Sequence, residues 1–397
     1  MKENFYKGII IQAISLFIIF SLITPAQARV IRVGPEREKK LPSIAAKIAA
    51  NGDTIEIETG VYLNDVAVWR QHNLTIRGIN GRAHLKSTGA NAEGKGIWVI
   101  KGDNAVVENI EFSGATVPDA NGAGIRQEGK NLTVRNCFFH DNENGILTGK
   151  NLESNIIIEH TEFARNGYGD GQTHNIYIGR IHNFTMQYCY SHRAYIGHNV
   201  KSRAANNYIL YNRIMDEDTG ASSFAIDLPN GGRSFIIGNL IQQGLNTDNS
   251  CIISYGAEGL NHTLNELYIV NNTIVNQRGT GVFIKIVGMA GQTKIMNNIF
   301  AGEGTILMGQ GELINNLDFP GIFGRFSFFA GKPKLVDISN YDYHLTKGSP
   351  AIDAGIDPGM IGDFNLKPSW QYVHPTKKEK RIISGEIDIG AYEYSEK

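Results

Sequence analysis

The chemically richest part of the chain lies between Asn166 and Gly232, where His, Arg, Tyr and Asp crowd into NGYGDGQTHNIYIGRIHNFTMQYCYSHRAYIGHNVKSRAANNYILYNRIMDEDTGASSFAIDLPNGG. Tyr177, Lys201 and Asp227 each follow an apolar residue, and nearly equal lengths of chain separate successive members. His174 and His198 stand three positions before Tyr177 and Lys201, and Arg203 stands two after Lys201. Cations, a phenol and imidazoles on one surface suit an acidic polysaccharide. Removing the C5 proton of a uronate requires its carboxylate to be neutralised, and the departing C4 oxygen then needs a proton. In that lyase reading Lys201 is either the base or the group that neutralises the carboxylate, and Tyr177 or a histidine is the acid. Hydrolysis would need two suitably spaced carboxylates, for which Asp170, Asp227 and Glu258 are the local candidates. C5 epimerisation would leave the chain length unchanged. A non-catalytic carbohydrate-binding envelope protein is the remaining alternative, in which Lys201 over Asp227 is only a cross-strand ion pair.

These residues meet only if something repeats with their period. Val107-Glu-Asn109-Ile-Glu-Phe112, Val134-Arg-Asn136-Cys-Phe-Phe139, Ile158-Glu-His160-Thr-Glu-Phe163 and Met186-Gln-Tyr188-Cys-Tyr190 share one pattern, which continues at Asn212, Asn239, Asn272 and Asn298. The interval from one copy to the next is the length of a β-helix coil that carries loops of varied size. Short alternating strands separated by Gly and Asn, with almost no helical periodicity, fill each unit. Such a unit cannot bury its apolar face alone, so coils must stack about 4.8 Å apart around a shared core. The fold expected is all-β: a single-stranded right-handed parallel β-helix, a solenoid, over residues 61–340. Repeated Asn suits a left-handed turn whose amide reaches the next coil, so an asparagine ladder is expected.

Aligning the coils puts Ile125, Ile146, Ile176, Val200 and Ile226 in one inward column. Their neighbours Arg126, Leu147, Tyr177, Lys201 and Asp227 must then point outward, because strand side chains alternate. The expected catalytic set is Lys201, Tyr177, His198 and Arg203, with His174, Asp227, Arg126, Asp170 and Tyr255 around it for substrate. No tight metal-ligand spacing appears, so no metal is expected.

A family resemblance enters at Gly197-His-Asn-Val-Lys201-Ser-Arg203, followed by Leu228-Pro-Asn-Gly-Gly232. Over this stretch and its immediate flanks, a minor part of the chain, the sequence resembles the core of the β-helical chondroitinase B and alginate lyase family. The resemblance implies uronate β-elimination with Lys201 as base. It departs from the family at Pro229, where an Arg is expected, and at Ala194 and Ile196, where calcium-binding carboxylates are expected. Neither calcium nor another cofactor is therefore expected. Tyr168-Gly169-Asp170 with His174 resembles, more weakly, a signature of mannuronan C5-epimerases. The whole chain looks most like exported bacterial β-helix proteins.

The ends and the bulk composition fit that setting. Lys2 and Lys7 precede an apolar run to Ile23 and then Thr24-Pro25-Ala26-Gln27-Ala28, the layout of a signal peptide over residues 1–28, which implies a periplasmic or secreted protein. Residues 29–60 are expected to form an N-terminal cap and first coil, with an amphipathic helix over 41–50, and 341–397 a C-terminal cap. With 38 Lys and Arg against 39 Asp and Glu, the formal net charge is -1. Nothing in that balance calls for nucleic acid or an anionic membrane, and a soluble monomer is expected. The three Cys are expected to stay unpaired and mostly buried.

Overall fold

The computed structural model describes residues 28–320 and 333–396. The proposed signal sequence falls almost wholly outside them. Among the described residues no helix is long and apolar enough to cross a membrane.

The chain winds as a right-handed parallel β-helix. Ten strands, from Ala67–Trp69 to Thr305–Met308, form one parallel sheet in which each strand pairs with its equivalents in the coils before and after. The other faces of the coil join in a 21-stranded sheet, because long strands such as Thr54–Leu63 and Thr75–Lys86 run around a corner and belong to both faces. Alternation fixes what lies inside. Ile125, Ile146, Ile176, Val200 and Ile226 are all fully buried, and the pairs Ile125–Ile146, Ile146–Ile176 and Val200–Ile226 are in register. Behind them Phe112, Phe139 and Phe163 stack with centroids 4.9 and 5.0 Å apart. Identical register in coil after coil is what a solenoid core requires.

The corners are held by stacked amides. Along one, Nδ2 of Asn212 donates to Oδ1 of Asn239, Asn239 to Asn272, Asn272 to Asn298 and Asn298 to Asn316, all at 2.9–3.0 Å. The repeat read from the sequence slips by one residue on entering this stack. Asn109 and Asn136 take the left-handed position, with φ of 58° and 51°, which Tyr211 and Asn271 fill later at 56° and 51°. Asn212 and Asn272 are one residue further on, where Cys137, Thr161 and Cys189 precede them. A two-residue corner rich in Asn hides that slip. A second, buried stack runs Asn142, Asn166, Asn175, Asn199, and a third, more exposed one runs Asn73, Asn104, Asn131, Asn155, Asn183, Asn206. The Asn-x-Thr triplets at Asn73, Asn131 and Asn183 are thus members of a stack. Cys137, Cys189 and Cys251 are free and buried, and burial pushes each thiol up to about 12.

The helix expected over 41–50 spans Pro42–Ile48 and buries Pro42, Ala45 and Ala46. Pro42 suits its first turn, where the missing N–H costs nothing. The C-terminal segment lies elsewhere than an end cap would. Tyr343, Leu345, Tyr372, Ile389 and Tyr392 pack on Met215, Leu240, Val275 and Ile299, and Leu366 packs on Tyr211, Phe235 and Tyr268. The segment runs along the flank of the solenoid, covering apolar side chains that point out of the coils.

Candidate active site

Tyr177, Lys201 and Asp227 are consecutive rungs of the ten-stranded sheet, paired Tyr177–Lys201 and Lys201–Asp227. Lys201 Nζ is 3.5 Å from Oδ2 of Asp227 and 5.7 Å from the centre of the Tyr177 ring. Arg203 reaches over the same ring at 5.7 Å and donates from Nε to the Tyr177 hydroxyl at 2.9 Å. Its NH1 donates to Oδ1 of Asn230 at 2.6 Å.

The six-residue patch expected to be exposed is layered instead. Tyr177, Lys201 and Arg203 are half-buried at its surface, whereas His174, His198 and Asp227 are 1%, 5% and 4% exposed. The two rings stack at 4.5 Å, and His174 Nδ1 accepts the backbone N–H of His198 at 3.0 Å, so its proton is on Nε2. Burial, aided by Lys201 and Arg203, holds His174 well below the usual imidazole range and His198 at about 3. Both are therefore neutral near pH 7, and neither is a ready acid. His198 Nε2 sits 3.4 Å from Oδ2 of Asp227. Burial also raises the Asp227 carboxyl above its ordinary value, with Lys201 opposing that shift.

Three further expectations change. Tyr255 pairs with Leu228, on the inward side of its strand, and is fully buried with its hydroxyl donated to the Gly232 carbonyl. Alternation puts Ser254, and not Tyr255, next to Asp227. Asp170 is exposed and accepts from the backbone N–H of Gln172, closing its own turn. Arg126 lies in the outward column, but Leu147 stands between it and Tyr177.

Glu258, which the sequence offered as a carboxylate for hydrolysis, closes the surface. It forms a two-bond pair with Arg203 at 2.6 and 2.9 Å and lies 3.9 Å from Lys201 Nζ. Arg203 holds its carboxyl below the usual carboxylate range. Glu258 belongs to the segment between strands Cys251–Tyr255 and Glu266–Val270. Beside that segment a cleft of about 360 Å³ is lined by Arg180, His182, Asn206, Asn261 and Leu264. Asn230 and Ser254 were missed by sequence reasoning. The signal for Ser254 was the coil register, which pairs it with Asp227; Asn230 lies past the end of its strand at Leu228, where no pairing locates it.

A family model described as "Right handed beta helix region" matches residues 59–214. No curated protein sequence matches the chain. Among solved structures, pectate lyase Pel9A superposes with a TM-score of 0.62 at 12% identity, covering 92% of this chain and 96% of its own. An alginate lyase from Paenibacillus sp. str. FPU-7 gives 0.49 at 14% identity, covering 72% and 99%. The chain is a right-handed parallel β-helix that shares its fold, over nearly its whole length, with pectate lyase Pel9A.

Proposed function

We propose that the chain is a polysaccharide lyase that cleaves a uronic-acid polymer by β-elimination. The observation that carries this reading is the surface cluster of Tyr177, Lys201 and Arg203, two basic side chains over one phenol with Arg203 Nε bonded to the hydroxyl. Arg203 presents a planar fork that matches a carboxylate. In the complex the uronate carboxylate takes the place that Glu258 holds on that fork, which withdraws electron density from C5. Lys201 Nζ takes the C5 proton, the freed electron pair forms the C4–C5 double bond, and the C4–O bond breaks. The Tyr177 hydroxyl, already an acceptor from Arg203, has its own proton free for the leaving oxygen. Asp227 and His198 lie beneath Lys201 and position its side chain.

A role outside the cytoplasm, in the periplasm or medium, belongs to the same proposal. So does the absence of a cofactor in this reaction, since Ala194 and Ile196 offer calcium no carboxylate. The test is to mix the protein with a panel of pectic, alginate and glycosaminoglycan polymers. Ultraviolet absorbance from the conjugated unsaturated uronate should rise with at least one of them; a flat trace across the panel defeats the reading.

Hydrolysis is the second reading. Its support is that the environments of two carboxyls flanking Lys201 move them apart, Asp227 upward and Glu258 downward, as an acid and a base require. Its products would carry new reducing ends without unsaturation.

A further inference from the structure

On another face of the solenoid, away from the ten-stranded sheet, three coils bring His84, Glu111 and His140 together. Strands Thr75–Lys86, Ile110–Ser113 and Phe138–His140 are neighbours, with His84 in register with Glu111 and His140 with Ser113. The inward residues between them, Leu85, Phe112 and Phe139, are fully buried, so the three side chains share the outer face. His84 Nδ1 lies 3.4 Å from Oε1 of Glu111, and His140 Nε2 lies 3.0 Å from the same oxygen. One ligand atom from each residue falls within 4.8 Å of the other two. With metal–ligand bonds of ~2.0–2.1 Å, the edge of a tetrahedron is about 3.3 Å, which the 3.4 and 3.0 Å separations from Glu111 Oε1 match.

The surrounding bonds leave the right atoms free. His84 turns its other nitrogen, Nε2, to Ser113 Oγ at 2.7 Å. His140 turns Nδ1 to Asp141 at 2.6 Å, and Arg165 grips that carboxylate at 2.9 and 3.0 Å. A carboxylate behind a histidine, itself fixed by a further residue, is the usual support of a metal ligand. His140 thus faces a carboxylate oxygen with each ring nitrogen, Asp141 behind it and Glu111 in front.

We propose that His84 Nδ1, Glu111 Oε1 and His140 Nε2 bind one divalent transition ion of the zinc class, clipping three successive coils together with the remaining coordination open to water. Two imidazoles and one carboxylate select zinc or cobalt over calcium or magnesium, which prefer oxygen. The site is independent of the proposed lyase surface.

The experiment uses the full folded protein, stripped with a chelator and then titrated with zinc and, separately, with cobalt(II). The expected result is saturation at one ion per chain and, for cobalt, visible d–d bands of a low-symmetry nitrogen and oxygen site without thiolate charge transfer. His84→Gln and His140→Gln should each weaken binding by at least ~100-fold, and Asp141→Asn by ~10–100-fold. Lys201→Ala should leave binding unchanged, which separates this site from the lyase proposal. Circular dichroism checks that the variants keep the β-helix. Three results would overturn the proposal: absence of saturable binding to the folded wild-type protein, equal binding by folded His84→Gln and His140→Gln, or a cobalt spectrum dominated by sulfur.

Discussion

Arg203 and Glu258 are far apart in sequence, yet they meet through two parallel bonds of 2.6 and 2.9 Å at the surface of the Tyr177–Lys201 column. Glu258 is half-exposed, so it gives up the guanidinium at little cost. It occupies the fork as a substrate carboxylate would. Glu258→Gln is therefore expected to tighten binding of the polyuronate severalfold, whereas Arg203→Lys, which keeps the charge but loses the fork, should weaken it by about tenfold to a hundredfold. Calorimetric titration with a defined oligosaccharide measures both. If both changes weaken binding equally, Glu258 contacts the sugar itself, and its role as a stand-in is wrong.

Lys201→Ala and Tyr177→Phe remove the proposed base and acid without touching the inward column. Each is expected to lower kcat by ~10²–10⁴-fold while leaving the β-helix intact. His198→Ala acts only through Asp227 and Lys201, so it should cost less. Initial rates of unsaturated-product formation check all three. Were the Lys201 and Tyr177 variants as active as the parent, the column would be an ion pair on a carbohydrate-binding face and nothing more.

The period of the repeat made the fold legible, and with it the register Tyr177–Lys201–Asp227, because a strand that slips by one residue would turn its whole core outward. Depth was not legible. Whether His198 is open or covered depends on its neighbours: it stacks on His174 at 4.5 Å and meets Phe224 edge-on at 5.0 Å. Tyr255 was misplaced even though its inward direction follows from Asp227 pointing outward one coil earlier. The trio His84, Glu111 and His140 was missed because metal spacing was sought within a single turn. Its members stand one full coil apart along the chain, which is the spacing that a solenoid converts into contact. The flank-lying tail had no periodic signal, since its partners Met215, Leu240 and Val275 are apolar residues on the outer side of their strands.

Asn239 lies mid-stack. Its Oδ1 accepts from both Asn212 N–H and Asn212 Nδ2, and its own Nδ2 donates to the Ile209 carbonyl and to Asn272. Asn239→Ala would strand several of these buried groups, so a loss of about 2–4 kcal/mol is expected. Asn206, at the end of the exposed stack, donates to Asn183; Asn206→Ala should cost about 0.5 kcal/mol or less, because water replaces the partner. Urea midpoints compare the two. Equal losses would mean that the amide stacks do not owe their strength to burial.

Asp216 is a fully buried carboxyl at the end of the Asn142–Asn199 stack, 3.4 Å from Asn199 Nδ2 and 3.2 Å from the Gly244 N–H. Burial raises it from 3.8 to about 6. The folded protein thus keeps this proton across a window in which the unfolded chain has already released it. Stability from the group is fully present below 3.8 and is lost as pH rises through about 6, on the order of 3 kcal/mol once it is ionised. Asp216→Asn has no charge to bury and offers the stack one more amide. Its stability relative to the parent should rise between about pH 4 and about pH 7 and level off beyond. Urea unfolding of both proteins across that range reads the difference directly, with contributions common to the two cancelling. A difference that stays flat, or that grows toward acid, would show that the Asp216 carboxyl ionises at least as readily in the folded chain as in the unfolded one.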